Sequence, residues 1–212
     1  MKFSSINRCL VLAPHTDDGE FGCGGTIAKL IDNNVNVIYV AFSAAEASVP
    51  PGYDRDILRR EVLRATSKLG IPQQDCICLN YEVRKFPQFR QEILEDMISL
   101  NKKYQPELVI LPSKYDTHQD HLTIHNEGFR AFKKTTMLGY EVPWNNLEFK
   151  SNCFVELSKY HLDRKIQAMA EYESQKDRTY ASKEFLRALA VTRGIQIGIQ
   201  YAECFEIIRM IS

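Results

Sequence analysis

The sequence has no excess of charge of either sign: Lys+Arg and Asp+Glu both total 27. Bulk charge therefore gives no reason to expect nucleic acid or an anionic membrane as a partner, a local patch aside. It also lacks any apolar stretch near the roughly 18 residues that a membrane helix needs. Met1 to Asn7 carries no secretory pattern, and the apolar run from Cys9 to Ala13 is too short for a signal core and leads straight into a polar motif. There is no internal repeat and no low-complexity linker. The six cysteines, at positions 9, 23, 76, 78, 153 and 204, lack the spacing of a zinc knuckle or a thioredoxin-like motif. They read as buried free thiols in a reducing cytoplasm. The expectation is a cytoplasmic protein with no stable membrane insertion and no nucleic-acid partner.

What is present is an ordinary globular composition, 44% hydrophobic and 25% charged, on 212 residues. That length suits one domain with a sizeable core, spanning 1–212. Short apolar runs alternate with amphipathic stretches. Arg8 to Ala13, Val35 to Phe42, Cys76 to Leu79 and Leu108 to Leu111 read as strands. Glu20 to Asn33, Asp54 to Leu69 and Gln88 to Tyr104 read as helices, the second stopped by Gly70. In the last third, Val142 to Phe154 reads as a loop plus a strand, Leu162 to Glu173 as a helix and Tyr201 to Ile211 as a closing strand. This alternation predicts an α/β fold: a Rossmann-like sandwich with a mainly parallel central sheet and helices on both faces. Ligands in such sheets bind at the carboxyl ends of the strands. That directs attention to the loops after Ala13, Phe42 and Leu111.

Two of those loops are dense in metal-competent side chains. One is Pro14-His15-Thr16-Asp17-Asp18-Gly19-Glu20, and the other Asp116-Thr117-His118-Gln119-Asp120-His121. They hold three of the five histidines, and His125 follows one turn later. A catalytic zinc takes three protein ligands and leaves a place for water. Two imidazoles and one carboxylate make a net positive site that lowers a water pKa towards ~7. His15, Asp18 and His121 supply that set. Asp17 projects differently and is free to take a proton. His118 and His121 share a face if a helix begins there, so one can bind metal while the other reaches the substrate oxygen.

The segment PHTDDGEFGCGGT together with HQDH resembles the PIG-L/LmbE-like family of zinc-dependent N-acetylglucosaminyl deacetylases. Both motifs of that family, His-x-Asp-Asp-x-Glu and His-x-Asp-His, are complete here. Similarity extends to Glu61, Ala65, Leu69 and Gly70, to Lys165, Ala168, Tyr172, Ser174 and Gln175, and to Ala202, Glu203, Phe205, Glu206 and Arg209. The resemblance implies hydrolysis of an acetamide on an N-acetylated sugar or sugar conjugate by zinc-activated water. It assigns His15, Asp18 and His121 as metal ligands and Asp17 as general base. His118 falls as acid or oxyanion stabiliser, and Asp120 as the partner that orients an imidazole. Zn²⁺ is the expected cofactor, with Fe²⁺ the alternative, since the donor set suits both. The family usually carries a substrate-binding arginine three residues before Glu61. Leu58 stands there, with Arg59 and Arg60 beside it, and Arg59 is the candidate substrate contact. The resemblance leaves homo-oligomers, trimers or hexamers, open.

Other readings exist for the same residues. Asp17 and Asp18 could be helix caps. Gly22-Cys23-Gly24-Gly25 lacks the G-x-G-x-x-G spacing of a dinucleotide site, and reads as close helix–sheet packing. Glu20 could reach His15, and His125 could be a packed helix residue. Trp144, Asn145 and Asn146 could form a sugar-facing loop. The rival functions are a nucleotide-binding α/β module and an inactive relative of the same family.

Overall fold

The computed structural model describes residues 6–211. The strands are β1 (Arg8–His15), β2 (Asn36–Ser43), β3 (Cys76–Cys78), β4 (Leu108–Pro112), β5 (Thr136–Tyr140), β6 (Cys153–Glu156) and β7 (Ala202–Arg209). The helices are α1 (Asp18–Asp32), α2 (Ile57–Leu69), α3 (Arg90–Tyr104), α4 (Gln119–Ala131), α5 (Lys159–Met169) and α6 (Lys183–Ile195). All seven strands form one sheet in the order β3-β2-β1-β4-β5-β7-β6. β1 to β5 run parallel. β7 lies antiparallel between β5 and β6.

The core follows from the period of two along β1. Cys9, Val11 and Ala13 pack on one face with Cys23, Ile27, Leu58, Val62, Leu162 and Ala168 of α1, α2 and α5. Leu10 and Leu12 pack on the other with Ile93, Met97 and Ile124 of α3 and α4. A strand covered on both sides is apolar throughout, which is why RCLVLA reads as an unbroken run.

The chain leaves β1 through α1 towards β2 on one side, and later returns through α3 to β4 on the other. The strand order therefore switches between β1 and β4, and a crevice opens at their carboxyl ends. His15 ends β1, and the segment 113–118 follows β4.

α1 is kinked at Cys23, whose φ of −146° and ψ of 21° are not helical. The freed amides of Gly25 and Thr26 donate to the Glu203 carboxylate, at 3.0 and 2.6 Å. Lys165 in turn donates to Glu203 at 2.6 Å, so the buried charge is paired. A Cβ on Gly22 would collide with the Tyr140 ring, and one on Gly25 with Leu157. The glycine run is thus a site of close packing, and its backbone is closed to a phosphate.

The structure departs from the sequence reading in three places. β5 and α6 carry no assignment above. β5 is buried along its whole length, so it shows no alternation, and Gly139 weakens its strand signature. α5 begins at Lys159 rather than Leu162, because Ser158 caps it reciprocally with His161.

Candidate metal centre

His15 stands where β1 gives way to α1, and its backbone N–H donates to Asp18 Oδ2 at 2.8 Å. The same carboxylate oxygen lies 3.1 Å from His15 Nδ1 and 3.2 Å from His121 Nε2. One atom from each of His15, Asp18 and His121 therefore falls within 4.8 Å of the others. His15, His118 and Asp120 also satisfy that spacing. In that second set Asp120 is already committed, however. It accepts the backbone N–H groups of Arg84 at 2.6 Å and Phe86 at 3.3 Å, and faces His15 Nε2 at 3.0 Å.

The outer nitrogens decide how the first set is oriented. His15 Nε2–H donates to Asp120, and His121 Nδ1–H donates to Asp116 Oδ2 at 2.6 Å. With a metal in place of the proton shared with Asp18, each imidazole would be fixed in one tautomer, its inner nitrogen left free to bind. A carboxylate behind each imidazole is the arrangement that metal-binding histidines use. With two nitrogens and one oxygen converging on a cavity, the donor set fits a divalent metal with an open position. Asp120 was legible as a partner of this kind. Asp116 was noted only as part of its loop, because nothing in the spacing says which histidine it meets.

His118 is not on the face of α4. It is the residue before the first turn, with extended φ of −71° and ψ of 124°, and its Nδ1 accepts from the Asp120 backbone N–H at 3.2 Å. The ring still lies beside that of His121, with centroids 4.7 Å apart. Because Nδ1 accepts, the neutral ring carries its proton on Nε2 and acts as a donor there.

Burial and neighbouring charge set the protonation of the cluster. Burial pushes the Asp17 carboxyl up to about 6, reinforced by the adjacent Asp18 and opposed by His15 and Arg178. Burial also opposes charge on Asp18, but His121 and His15 outweigh it and hold that carboxyl well below the usual range. His121 is disfavoured by burial, yet Asp18 and Asp116 raise it to about 10. His118 is lowered by burial and then by the two neighbouring imidazoles.

The cluster forms the floor of a cavity of about 360 Å³, within the roughly 300–1,000 Å³ typical of small-molecule sites. Asp17 lines it, and makes no side-chain cap bond to α1. Trp144 and Asn145 line it too, whereas Asn146 turns back to accept from Val142 N–H at 2.7 Å. Arg59 is elsewhere. It pairs with Glu46 at 3.0 Å and lines a neighbouring cavity with Arg55 and Tyr81. Leu58 reaches the floor cavity instead. Arg84, Gln175, Arg178 and Tyr180 also line it, and only Gln175 among them carried a sequence signal. Glu20 does not touch His15. It is buried between the hydroxyls of Tyr39 and Tyr172, and burial pushes its carboxyl up to about 8. His125 donates to the Pro112 carbonyl at 2.9 Å and is a packed helix residue.

Comparisons with known proteins agree with this geometry. The family profile described as PIG-L, GlcNAc-PI de-N-acetylase, matches residues 10–132. The chain is 25% identical to diacetylchitobiose deacetylase of Thermococcus kodakarensis, across 95% of this chain and 83% of that protein. It is 28% identical to the uncharacterized deacetylase YaiS of Escherichia coli, across 81% of this chain and 95% of the relative. Among solved structures, the N,N'-diacetylchitobiose deacetylase of Pyrococcus horikoshii superposes with a TM-score of 0.78 at 24% identity. That match covers 97% of this chain and 85% of the other.

Proposed function

Because this chain belongs to the PIG-L family of de-N-acetylases, we propose that it is a metal-dependent hydrolase that removes the acetyl group from an N-acetylated sugar or sugar conjugate. The observation that carries the reading is the pair of carboxylate-backed imidazoles, His15 on Asp120 and His121 on Asp116, converging with Asp18 under an open cavity. His15, Asp18 and His121 would hold the metal. Zn²⁺ is the ion proposed, and Fe²⁺ suits the same donors. When bound, such an ion supplies a Lewis acid for the acyl carbonyl and brings the pKa of water towards ~7.

The remaining steps belong to the chain's own side chains. Asp17, with its carboxyl near 6, takes a proton from the attacking water, since a base works best when its pKa lies close to the working pH. His118 donates from Nε2 to the oxygen on which negative charge develops. It does so as a neutral donor, because its Nδ1 is occupied as an acceptor and its surroundings disfavour the charged ring. Asp17 then returns the proton it gained to the leaving amine. Atoms balance as one water consumed, acetate and a free amine released.

Acetate release from a panel of N-acetylglucosamine conjugates tests the reading. Chelator-treated protein should be inactive and Zn²⁺ should restore turnover. A fully metal-loaded protein that releases acetate from none of them would sink it. The nucleotide-binding alternative loses its support, because Gly22 and Gly25 are closed over by Tyr140 and Leu157.

A further inference from the structure

We propose that Glu20, Tyr39 and Tyr172 are positioning residues: together they lock the peptide before Asp17 and so aim the carboxyl assigned as the base. The proposal rests on the hydrolase reading, in which Asp17 takes the proton from water, and adds what holds that side chain in place. A base must be free to meet the water, and Asp17 is free. It lines the cavity, makes no side-chain cap bond to α1 and, among the described residues, has no hydrogen bond or ion pair to another side chain. Its direction is therefore set by its backbone.

That backbone is gripped from outside the turn. The Thr16 carbonyl, in the peptide that carries the Asp17 nitrogen, lies 2.8 Å from the Tyr39 hydroxyl and 2.5 Å from the Tyr172 hydroxyl. Each hydroxyl also meets one oxygen of Glu20, that of Tyr172 at 2.7 Å. Carbonyl, carboxyl and the two hydroxyls close into one ring. A hydroxyl has a single proton to donate, so the ring shares its protons between Thr16 and Glu20. The Tyr39 hydroxyl accepts in addition from the Gly19 N–H at 3.2 Å, a second hold on the far side of Asp17. A Cβ on Gly19 would stand 2.5 Å from the Tyr39 ring, so turn and ring are fitted closely.

The three residues come from β2, the first turn of α1 and the chain after α5, and all are buried. Tyr39 and Tyr172 belong to the same buried cluster as Val62, Leu162 and Ala168, which makes the grip rigid. Burying Glu20 does not by itself call for this arrangement. A buried carboxyl needs hydrogen-bond partners, and two hydroxyls would serve wherever they lay. Here both are set on the one carbonyl that precedes the base. Asp18 has its own hold, the His15 N–H, so the ring acts on Asp17 and leaves the candidate metal ligand to separate bonds. The leverage is large, because a misplacement of about 1 Å costs about a hundredfold in rate.

The experiment measures acetate release from methyl N-acetyl-β-glucosaminide by Zn²⁺-loaded protein. Y39F and Y172F should each lower kcat about threefold, since the other hydroxyl still holds the carbonyl, and Y39F/Y172F about a hundredfold. KM and metal content should stay at wild-type values. E20A should match the double variant. E20Q, whose amide can accept from one hydroxyl and donate to the other, should restore most of the rate. If E20A does not fold, the tyrosine variants decide alone. Y81F is the control: it removes a tyrosine–carboxylate bond of 2.7 Å to Asp96, away from the turn, and should lower Tm without lowering kcat. Hydrogen exchange reads the turn without turnover. Amides of residues 14–21 should exchange faster in Y39F/Y172F, while those of β4 do not change. Near-normal kcat in the double variant, an equal loss in Y81F, E20Q no faster than E20A, or unchanged exchange at 14–21 overturns the proposal. If the wild type releases no acetate, faster exchange confined to 14–21 still supports the grip on the turn, and only the hydrolase reading fails.

Discussion

The floor and the rim of the cavity are built by different means. The floor stands on strand ends: His15 closes β1, and Asp116, His118 and His121 follow β4 across the switch point. Its side chains are buried or half-buried and bonded to one another. The rim comes from longer connections, carrying Arg84, Trp144, Arg178 and Tyr180, which are exposed or half-buried. The difference teaches a division of labour. A rigid floor holds chemistry that tolerates little displacement, while loops set which molecule is presented to it.

The sharpest way to break the division is at Asp17. Asp17→Asn should keep one equivalent of metal yet lose about a hundred- to ten-thousand-fold in kcat, the range for removing a positioned base. Metal content and acetate release measured on one preparation decide it. Near-normal turnover would take Asp17 out of the chemistry, and loss of metal would place it among the ligands. Next in size is Asp116→Asn, which removes the carboxylate behind His121. It should weaken metal affinity about 10- to 100-fold, as such partners typically do, in competition titrations against a chelator. Unchanged affinity would mean the imidazole needs no such support.

The same contrast explains what could be read from the sequence. The candidate metal ligands lie at strand ends in short spacings, so His15, Asp18 and His121 stand out in two stretches of seven and six residues. β1, β2 and β4 were visible because a doubly covered strand is an apolar run. His118 shares a face with His121 only if the helix includes it, and it stands just before α4 instead, since the sequence does not say whether a helix starts at a residue or just after it. Arg84 and Arg178 left no signal. They reach the cavity because Asp120 grips the Arg84 backbone and Glu61 grips Ser174, and such distant bonds have no local pattern. Arg59 lies beside the family's arginine position in sequence, but Glu46 and the carbonyl oxygens of Cys78 and Leu79 hold it in the next cavity.

Protons on the floor give a third, smaller effect. In metal-free protein His121 is raised to about 10 from an ordinary 6.5, so its contribution to stability is complete below about 6.5 and lost as pH rises through about 10. Asp17 and Glu20, raised to about 6 and about 8 by burial, act in the same direction. Their protonated forms suit the folded state, and stability falls as pH climbs from their ordinary carboxyl range through those values. Urea unfolding of chelated protein at pH 5.5, 7.5 and 9.5 should show falling midpoints. Saturating Zn²⁺ should flatten the trend above neutrality, because metal replaces the proton on the imidazole. A flat profile without metal would mean that these buried groups carry ordinary protonation.

The smallest effect on the floor, and the cleanest test of its independence, is expected at Glu61. This carboxylate is buried on α2 and spends both oxygens on Ser174, accepting from the backbone N–H at 3.0 Å and the hydroxyl at 2.5 Å. Ser174 starts the stretch that brings Gln175, Arg178 and Tyr180 to the cavity. Glu61→Gln keeps the shape but turns one acceptor into a donor that faces a donor, and removes bonds to a charged group worth roughly 1.5–3 kcal/mol each. The stretch should loosen while α2 stays folded. KM should then rise about three- to tenfold, the equivalent of roughly 0.6–1.4 kcal/mol, with kcat and metal content almost unchanged. Steady-state kinetics beside metal analysis separate the two. If metal affinity fell in step with KM, the floor would depend on the connection that carries the rim, and the division between them would not hold.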